Sequence, residues 1–376
     1  MSFALTGARV FDGDTMADGL AVVVSHGRIA AVIPEGQLDT SLAQQTLGGG
    51  ILAPGFIDVQ VNGGGGALLN NHPDLAVVRQ IAESHRKFGT TGLLPTVITD
   101  TPEILAQAIA AVRAARAAQM PGVLGIHIEG PFIDPVRKGA HEARCIRTLT
   151  REDVEQIAGA DCGVVMLTLA PNRVDPALVG ALAKRGVLVS LGHADATHAQ
   201  IQPVLAAGAR AFTHLFNAMS QISAREPGMA GTALNHRESY IGIIADGHHV
   251  HDTCLKLAFA AKPLDRFMLV SDAMPTAAGG PDSFELQGRR VCRVNGRLAL
   301  DDGTLAGSNL TMDQAVRYCV ANLCVSLADA LRMASLNPAR FIRRGHELGR
   351  IQPGYLASLV HLNDDLTVAA TWIDGM

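Results

Sequence analysis

Eight predominantly apolar runs, each the length of one strand and set apart by helical stretches, constrain this chain more than any other feature. They are Phe56 to Val61, Leu93 to Ile98, Val123 to Ile128, Val164 to Leu169, Val187 to Leu191, Ala211 to Phe216, Tyr240 to Ala245 and Phe267 to Val270. Strands covered on both faces read as unbroken apolar runs, whereas a half-solvated strand would alternate. Helix openings separate several of them. Thr101-Pro102 starts an Ala-rich segment ending near Gln119, and Asp175-Pro176 starts another ending at Gly186. This alternation predicts an α/β fold, a (β/α)8 TIM-like barrel with parallel strands.

The two ends follow another rule. Residues 3 to 47 hold short β-type runs (Ala21 to Ser25, Ile29 to Ile33) broken by turn signals such as Asp12-Gly13 and His26-Gly27. Leu359 to Leu362 and Val368 to Ile373 repeat that style. We expect the ends to pair into one small, antiparallel β-sandwich domain, giving a division into 1–52, 53–345 (the barrel) and 346–376. Two irregular excursions interrupt the barrel pattern, Asp134 to Arg147 and Met274 to Gly307, the latter with a hairpin turn at Arg293 to Arg297. Excursions after barrel strands build or cover active sites.

With 376 residues, 48% hydrophobic and 18% charged, the chain can bury a large core. A 4% aromatic share and a formal net charge of -4 offer neither a base-stacking surface nor a broad basic field, so nucleic acid is not expected as a partner and any phosphate needs a local site. No apolar run reaches membrane-span length and the N-terminus carries no signal pattern, which predicts a cytoplasmic protein without a membrane partner. Six scattered cysteines predict reduced thiols.

Four residues carry the chemistry by position. Glu129, His193, His214 and Asp272 stand near or just past the ends of the third, fifth, sixth and eighth runs, so they converge at the C-terminal mouth of a barrel. A carboxylate with two neutral imidazoles is a catalytic zinc set that leaves a position open, and we assign Glu129, His193 and His214 to one divalent metal per subunit. Zinc fits best; iron, cobalt and manganese suit the same donors. Asp272 is placed to take a proton from the attacking water and return it to a leaving amine. Its alternative is a helix cap. Among 14 histidines, His26, His72, His85, His198, His236, His346 and His361 read as ordinary residues of surface turns, helices or tails, and His127 as a core partner of Glu129. His248 and His251 read as surface residues.

Several motifs resemble those of N-acetylglucosamine-6-phosphate deacetylases: Ala53-Pro54-Gly55-Phe56-Ile57-Asp58, His127-Ile128-Glu129-Gly130-Pro131-Phe132, Leu191-Gly192-His193-Ala194-Asp195-Ala196 and Thr213-His214-Leu215-Phe216-Asn217-Ala218-Met219. The resemblance spans nearly the whole chain. It implies that His141 approaches the sugar and the acetyl carbonyl with Ala140 beside it. It implies that Asn217, Ala218, Arg225 and His249 bind the sugar phosphate, that Asp246 belongs to the substrate site, and that Leu305, Ala306, Gly307 and Ser308 close over the substrate. It also implies a homodimer in which Arg225 reaches the neighbouring site.

One departure narrows the metal count. Relatives with two metals place His-x-His after the first strand, where this chain has Gln60-Val61-Asn62, and its fourth run ends Thr168-Leu169-Ala170-Pro171 without a bridging lysine. Amides replace imidazole poorly as ligands, so Gln60 and Asn62 should lie beside a vacant second metal position. The resemblance therefore implies deacetylation of N-acetyl-D-glucosamine 6-phosphate. The galactosamine epimer is the nearest alternative, and a cyclic amidase a more distant one that the missing His-x-His and lysine disfavour. A scaffold without activity would be expected to have lost some of the four polar residues.

Overall fold

The computed structural model describes residues 2–376. Eight strands form one parallel sheet: β1 (Phe56–Val61), β2 (Thr90–Ile98), β3 (Gly125–Glu129), β4 (Val164–Leu169), β5 (Leu188–Leu191), β6 (Ala211–Phe212), β7 (Tyr240–Ile243) and β8 (Phe267–Leu269), each beside its sequence neighbour. β1, β2, β3 and β5 are buried along their whole length, which is why apolar residues dominate both of their faces. The sheet closes through the chain just beyond β1 and β8. Asp272 N donates to Gln60 O at 2.9 Å and Asn62 N to Ala273 O at 2.9 Å. The barrel is thus sealed at the residues that face its mouth.

The crossover helices start where side chains can satisfy their first free N–H groups. Thr101 accepts from Ile104 N at the head of helix Pro102–Ala117, and Asp175 accepts from Ala177 N at the head of Pro176–Lys184. Helices Arg151–Ala158 and His198–Ala206 begin with reciprocal capping boxes, Thr150 with Asp153 and Thr197 with Gln200.

The chain ends build two further sheets. One orders Arg28–Pro34, Leu20–Ser25, Ser2–Thr6 and Ala43–Thr46; the other orders Val368–Trp372, Leu359–Leu362, Ile51–Pro54, Arg9–Phe11 and Met16–Ala17. Leu5, Val22, Ile29, Leu52, Leu359 and Trp372 fill the core they share. The sheets are mixed rather than purely antiparallel. Ser2–Thr6 runs parallel to Ala43–Thr46, and Arg9–Phe11 parallel to Ile51–Pro54, because the hairpin Leu20–Pro34 lies between the paired segments and returns the chain in its original direction. Ile51–Pro54 also pairs antiparallel with Leu359–Leu362, joining the two ends across the residue 52/53 division.

After β8 a three-stranded hairpin unit (Ser283–Leu286, Arg289–Val294, Arg297–Leu300) stands over the mouth. Asn295 and Gly296 both have positive φ, 52° and 82°, as a two-residue hairpin turn of this hand requires. Its inner residues Leu286, Val291 and Leu298 pack on Ile98, Ala140, Met274 and Ala306 in a small core separate from that of the barrel. Two histidines expected at the surface are instead interior: His85 is fully buried with Nε2 against Gly63 O (2.9 Å), and His361 bonds Gly49 O (2.8 Å). Each fills a place where a loop carbonyl needs a donor. No helix among the described residues is long and apolar enough to cross a membrane, and no cysteine among them is disulfide-bonded.

Candidate active site

A cavity of about 400 Å³ opens at the C-terminal end of the barrel, lined by Glu129, His141, His193, His214, Asn217, Ala218, His249, Asp272, Ala140, Leu305 and Gly307, among others. His193 (φ 47°), His214 (φ 33°) and Asp272 (φ 50°) lie in the left-handed region, as do Phe216 (72°) and Ala218 (48°). Such a backbone costs on the order of 1 kcal/mol or more at a residue with a Cβ. Here it turns three strand ends sharply enough to aim their side chains into the mouth.

His193 Nε2 and His214 Nε2 each lie within hydrogen-bond distance of Glu129 Oε1 (3.1 and 3.0 Å) and 3.0 Å from one another. Glu129, His193 and His214 are the one buried group of potential metal ligands among the described residues. Their donor chemistry fits a cation. His193 Nδ1 donates to Arg137 O at 3.0 Å, so in the neutral ring Nε2 is a lone pair. That lone pair faces a second imidazole nitrogen and a carboxylate, an arrangement that repels itself unless a positive charge sits among the three. His214 Nδ1 is buried without a partner, which leaves its protonation free to follow such a charge. Burial opposes ionisation of Glu129, but its contacts with the two imidazoles outweigh this and hold the carboxyl well below the usual range. Burial likewise depresses His214, and the Glu129 contact reverses it, raising His214 above its ordinary value.

Gln60 and Asn62 meet the carboxylates. Gln60 Nε2 donates to Glu129 Oε1 and Oε2 (3.1 and 3.2 Å) and to Asp272 Oδ1 (3.2 Å), and Asn62 Nδ2 donates to Asp272 Oδ1 (2.7 Å). An amide N–H₂ thus lies between two acidic groups, where the protons soften their repulsion. Burial, then the neighbouring Glu129, pushes Asp272 up to about 6. Asp58, wholly buried, accepts from Gln60 N (3.1 Å) and Ser271 N (3.2 Å), tying β1 to the residue before Asp272, and burial pushes it up to about 7.

His141 packs against His193, ring centroids 4.4 Å apart, with Nδ1 2.7 Å from Thr99 Oγ1. Burial, then the nearby His193, holds its imidazole well below the ordinary histidine range, hence neutral. His127 lies under the site rather than in it, with Nε2 2.8 Å from Thr168 Oγ1; burial pulls it down to about 4. Thr168, near the end of β4, continues a hydroxyl chain through Thr213 (2.8 Å) to Ser190 (2.7 Å).

The remaining residues singled out in the sequence divide. His249 lines the cavity and is held by Asp246, Nδ1 to Oδ2 at 2.7 Å; Asp246 itself stands behind it and also accepts from His248 N and His249 N. Leu305 and Gly307 face the cavity. Ala306 turns into the hairpin's core, and the Ser308 hydroxyl donates to Ser271 O, fastening this segment to the strand end that carries Asp272. Arg225 is exposed on the loop Ser220–Pro227, off the cavity wall, with no ion-pair partner among the described residues. His248 is exposed, and His251 caps helix Asp252–Ala261 by accepting from Thr253 N. Arg137, Thr99 and Asp134 escaped sequence reasoning. Asp134 accepts from Asn172 Nδ2 (2.6 Å) and Asp195 N (3.3 Å), while the Arg137 side chain bonds Asp195 (2.8 Å); both fix the loop whose carbonyl holds His193. The usable signal was that this excursion lies directly between Glu129 and His141.

Comparisons with known proteins agree with this geometry. Residues 51–376 match the Amidohydrolase family and residues 2–52 the NagA composite domain. The chain is 40% identical to an N-acetylgalactosamine-6-phosphate deacetylase of Shewanella sp. (strain ANA-3), covering 98% of this chain and 94% of that protein. It is 32% identical to the N-acetylglucosamine-6-phosphate deacetylase of Haemophilus influenzae, over 100% and 99% of the two chains. The crystal structure of N-acetylglucosamine-6-phosphate deacetylase from Pasteurella multocida superposes with a TM-score of 0.97 at 32% identity, covering 100% of this chain and 99% of that one. Matching in sequence along its whole length and in fold throughout, the chain belongs to the Amidohydrolase family, in the branch that holds the N-acetylglucosamine-6-phosphate deacetylases.

Proposed function

We propose that this enzyme hydrolyses the acetamide of N-acetyl-D-glucosamine 6-phosphate, giving glucosamine 6-phosphate and acetate. The observation that carries the reading is the convergence of Glu129, His193 and His214 with Asp272 and His141 in one cavity, with His249 also on its wall. Glu129, His193 and His214 would hold one divalent metal. When bound, a metal of this kind lowers the pKa of water from about 15.7 to roughly 7 and polarises a carbonyl.

The chain's own groups supply the rest. Asp272 takes the proton of the attacking water on its carboxylate and hands it to the amine nitrogen as the C–N bond breaks. His141, neutral and buried, donates to the carbonyl oxygen as negative charge gathers there. Gln60 and Asn62 hold the Asp272 carboxylate from the side away from the substrate. His249 with the backbone around Asn217 and Ala218 recognises the phosphate, and the exposed Arg225 completes that site from a neighbouring subunit of a dimer. Leu305, Gly307 and the hairpin above them keep bulk water out.

One observation favours a second reading. The 40%-identical Shewanella protein is named for the galactosamine epimer, and the two substrates differ only at one hydroxyl. Acetate release from both N-acetylhexosamines, each with and without its 6-phosphate, tests the proposal. The highest kcat/KM on the phosphorylated glucosamine derivative supports it, a preference for the galactosamine derivative establishes the second reading, and turnover indifferent to phosphate contradicts both.

A further inference from the structure

Thr99 follows β2 and is 1% exposed, beneath His141. Its hydroxyl oxygen lies 2.7 Å from His141 Nδ1, a pair in which either atom can donate according to the histidine tautomer, and 3.4 Å from Glu129 O, where its single proton would go if Nδ1 were the donor. The first distance is that of a good hydrogen bond and the second is long. The room for this hydroxyl comes from Gly130 (φ 84°), where a Cβ would stand 2.1 Å from Thr99 Oγ1. A glycine in the motif that carries Glu129 thus protects a contact made by the residue after a different strand.

A neutral imidazole carries one N–H, and the partner of one nitrogen decides which nitrogen has it. When Nδ1 accepts from a hydroxyl, the proton must sit on Nε2. In His141 that is the nitrogen without a hydrogen-bond partner among the described residues, on a ring that lines the cavity. We propose that Thr99 is a positioning residue that holds His141 in its Nε2–H tautomer, so that the ring offers the cavity a donor rather than a lone pair. The opposite tautomer would set a lone pair against the carbonyl oxygen it is meant to stabilise. The inference rests on the role given to His141 above, but the tautomer can be read without substrate.

The test uses the metal-loaded enzyme, ¹⁵N-labelled at histidine, with the His141 signals identified by their loss in His141→Gln. Long-range ¹H–¹⁵N correlation should show a protonated Nε2 and an unprotonated Nδ1 in the parent. Thr99→Val, nearly isosteric and lacking only the hydroxyl, should lose that pattern, keep its metal content, and lower kcat about tenfold with KM changed less than about twofold, as expected when one buried hydrogen bond stops selecting a tautomer. Thr99→Ser should restore the tautomer and most of the rate. A proton on Nδ1 in the parent overturns the proposal, and so does an unchanged Nε2–H signal in Thr99→Val. If no acetylated sugar is turned over, the assigned reaction fails while the tautomer result still stands on its own.

Discussion

Glu129, His193, His214 and Asp272 leave the ends of barrel strands, the first three buried and Asp272 partly so, and contact one another or a shared amide. Arg225 and Asn217, by contrast, sit on a long loop, one exposed and the other half-buried, and the His249 ring has Asp246 as its one hydrogen-bond partner among the described residues. The chemical side of the cavity is therefore pre-organised by the fold, whereas the side proposed to take the anion is assembled from loops, with Arg225 off the cavity wall. Parts that must meet within tenths of an ångström are built on strands; the part that must admit and release a phosphate is built on loops.

The largest effect should come from the rigid side. Asp272→Asn keeps the fold and the contacts with Gln60 and Asn62 in near-native shape but cannot take a proton, so turnover should fall at least roughly a hundredfold with metal content unchanged. Near-normal turnover in a steady-state assay would move the base elsewhere. The same carboxylate sets the pH profile. Asp272 is raised to about 6 by burial and Glu129, and only the ionised form acts as base, so kcat/KM should decline as pH falls through that region. A cation at the neighbouring ligands would move this limb to lower pH. Asp272→Asn should lack the limb.

On the loop side, Arg225→Ala should cost ten- to hundredfold on the phosphorylated sugar, since a charge-assisted hydrogen bond is worth roughly 1.5 to 3 kcal/mol, and much less on the unphosphorylated one. Mixing Arg225→Ala with Asp272→Asn chains should restore some activity if the arginine serves a partner's site. Failure of rescue despite proven subunit exchange would return it to its own chain. Asp246→Asn weakens only the group that orients His249, and a loss of about tenfold or less, confined to the phosphorylated sugar, is expected.

The smallest effect concerns stability. Asp58 titrates near 7 when folded, against an ordinary value of 3.8, because burial disfavours its charge. The folded protein then binds the proton more tightly than the unfolded chain, so this term is fully present below about pH 3.8 and is lost as pH rises through 7. Asp58→Asn should flatten that part of the stability curve in thermal melts recorded from pH 5 to 8. An unchanged slope would show that Asp58 is ionised in the fold.

The same contrast decides what could be read from residues alone. Strands buried on both faces announce themselves, and a titratable residue at the end of one is aimed at the mouth by topology, so the cluster of Glu129, His193 and His214 and its neighbour Asp272 was legible. Loop residues carry no such rule. Nothing in the sequence says that Ala306 turns into the hairpin core while Leu305 faces the cavity, or that Arg225 stands exposed off the cavity wall. Thr99 was illegible for another reason: one threonine after a strand has no periodicity, and its meaning depends on Gly130 and His141 arriving from elsewhere. The parallel pairing within the terminal sheets was hidden likewise, because short strands give their faces but not their partners.

The central claim is that one metal, held by Glu129, His193 and His214, suffices because Gln60 and Asn62 occupy the side where a second would bind. Stripping the enzyme with a chelator and titrating zinc back while following acetate release tests it directly. Activity should vanish on stripping, rise linearly and level off at one equivalent per chain; activity that persists without metal, or that climbs until two equivalents are bound, would contradict the account.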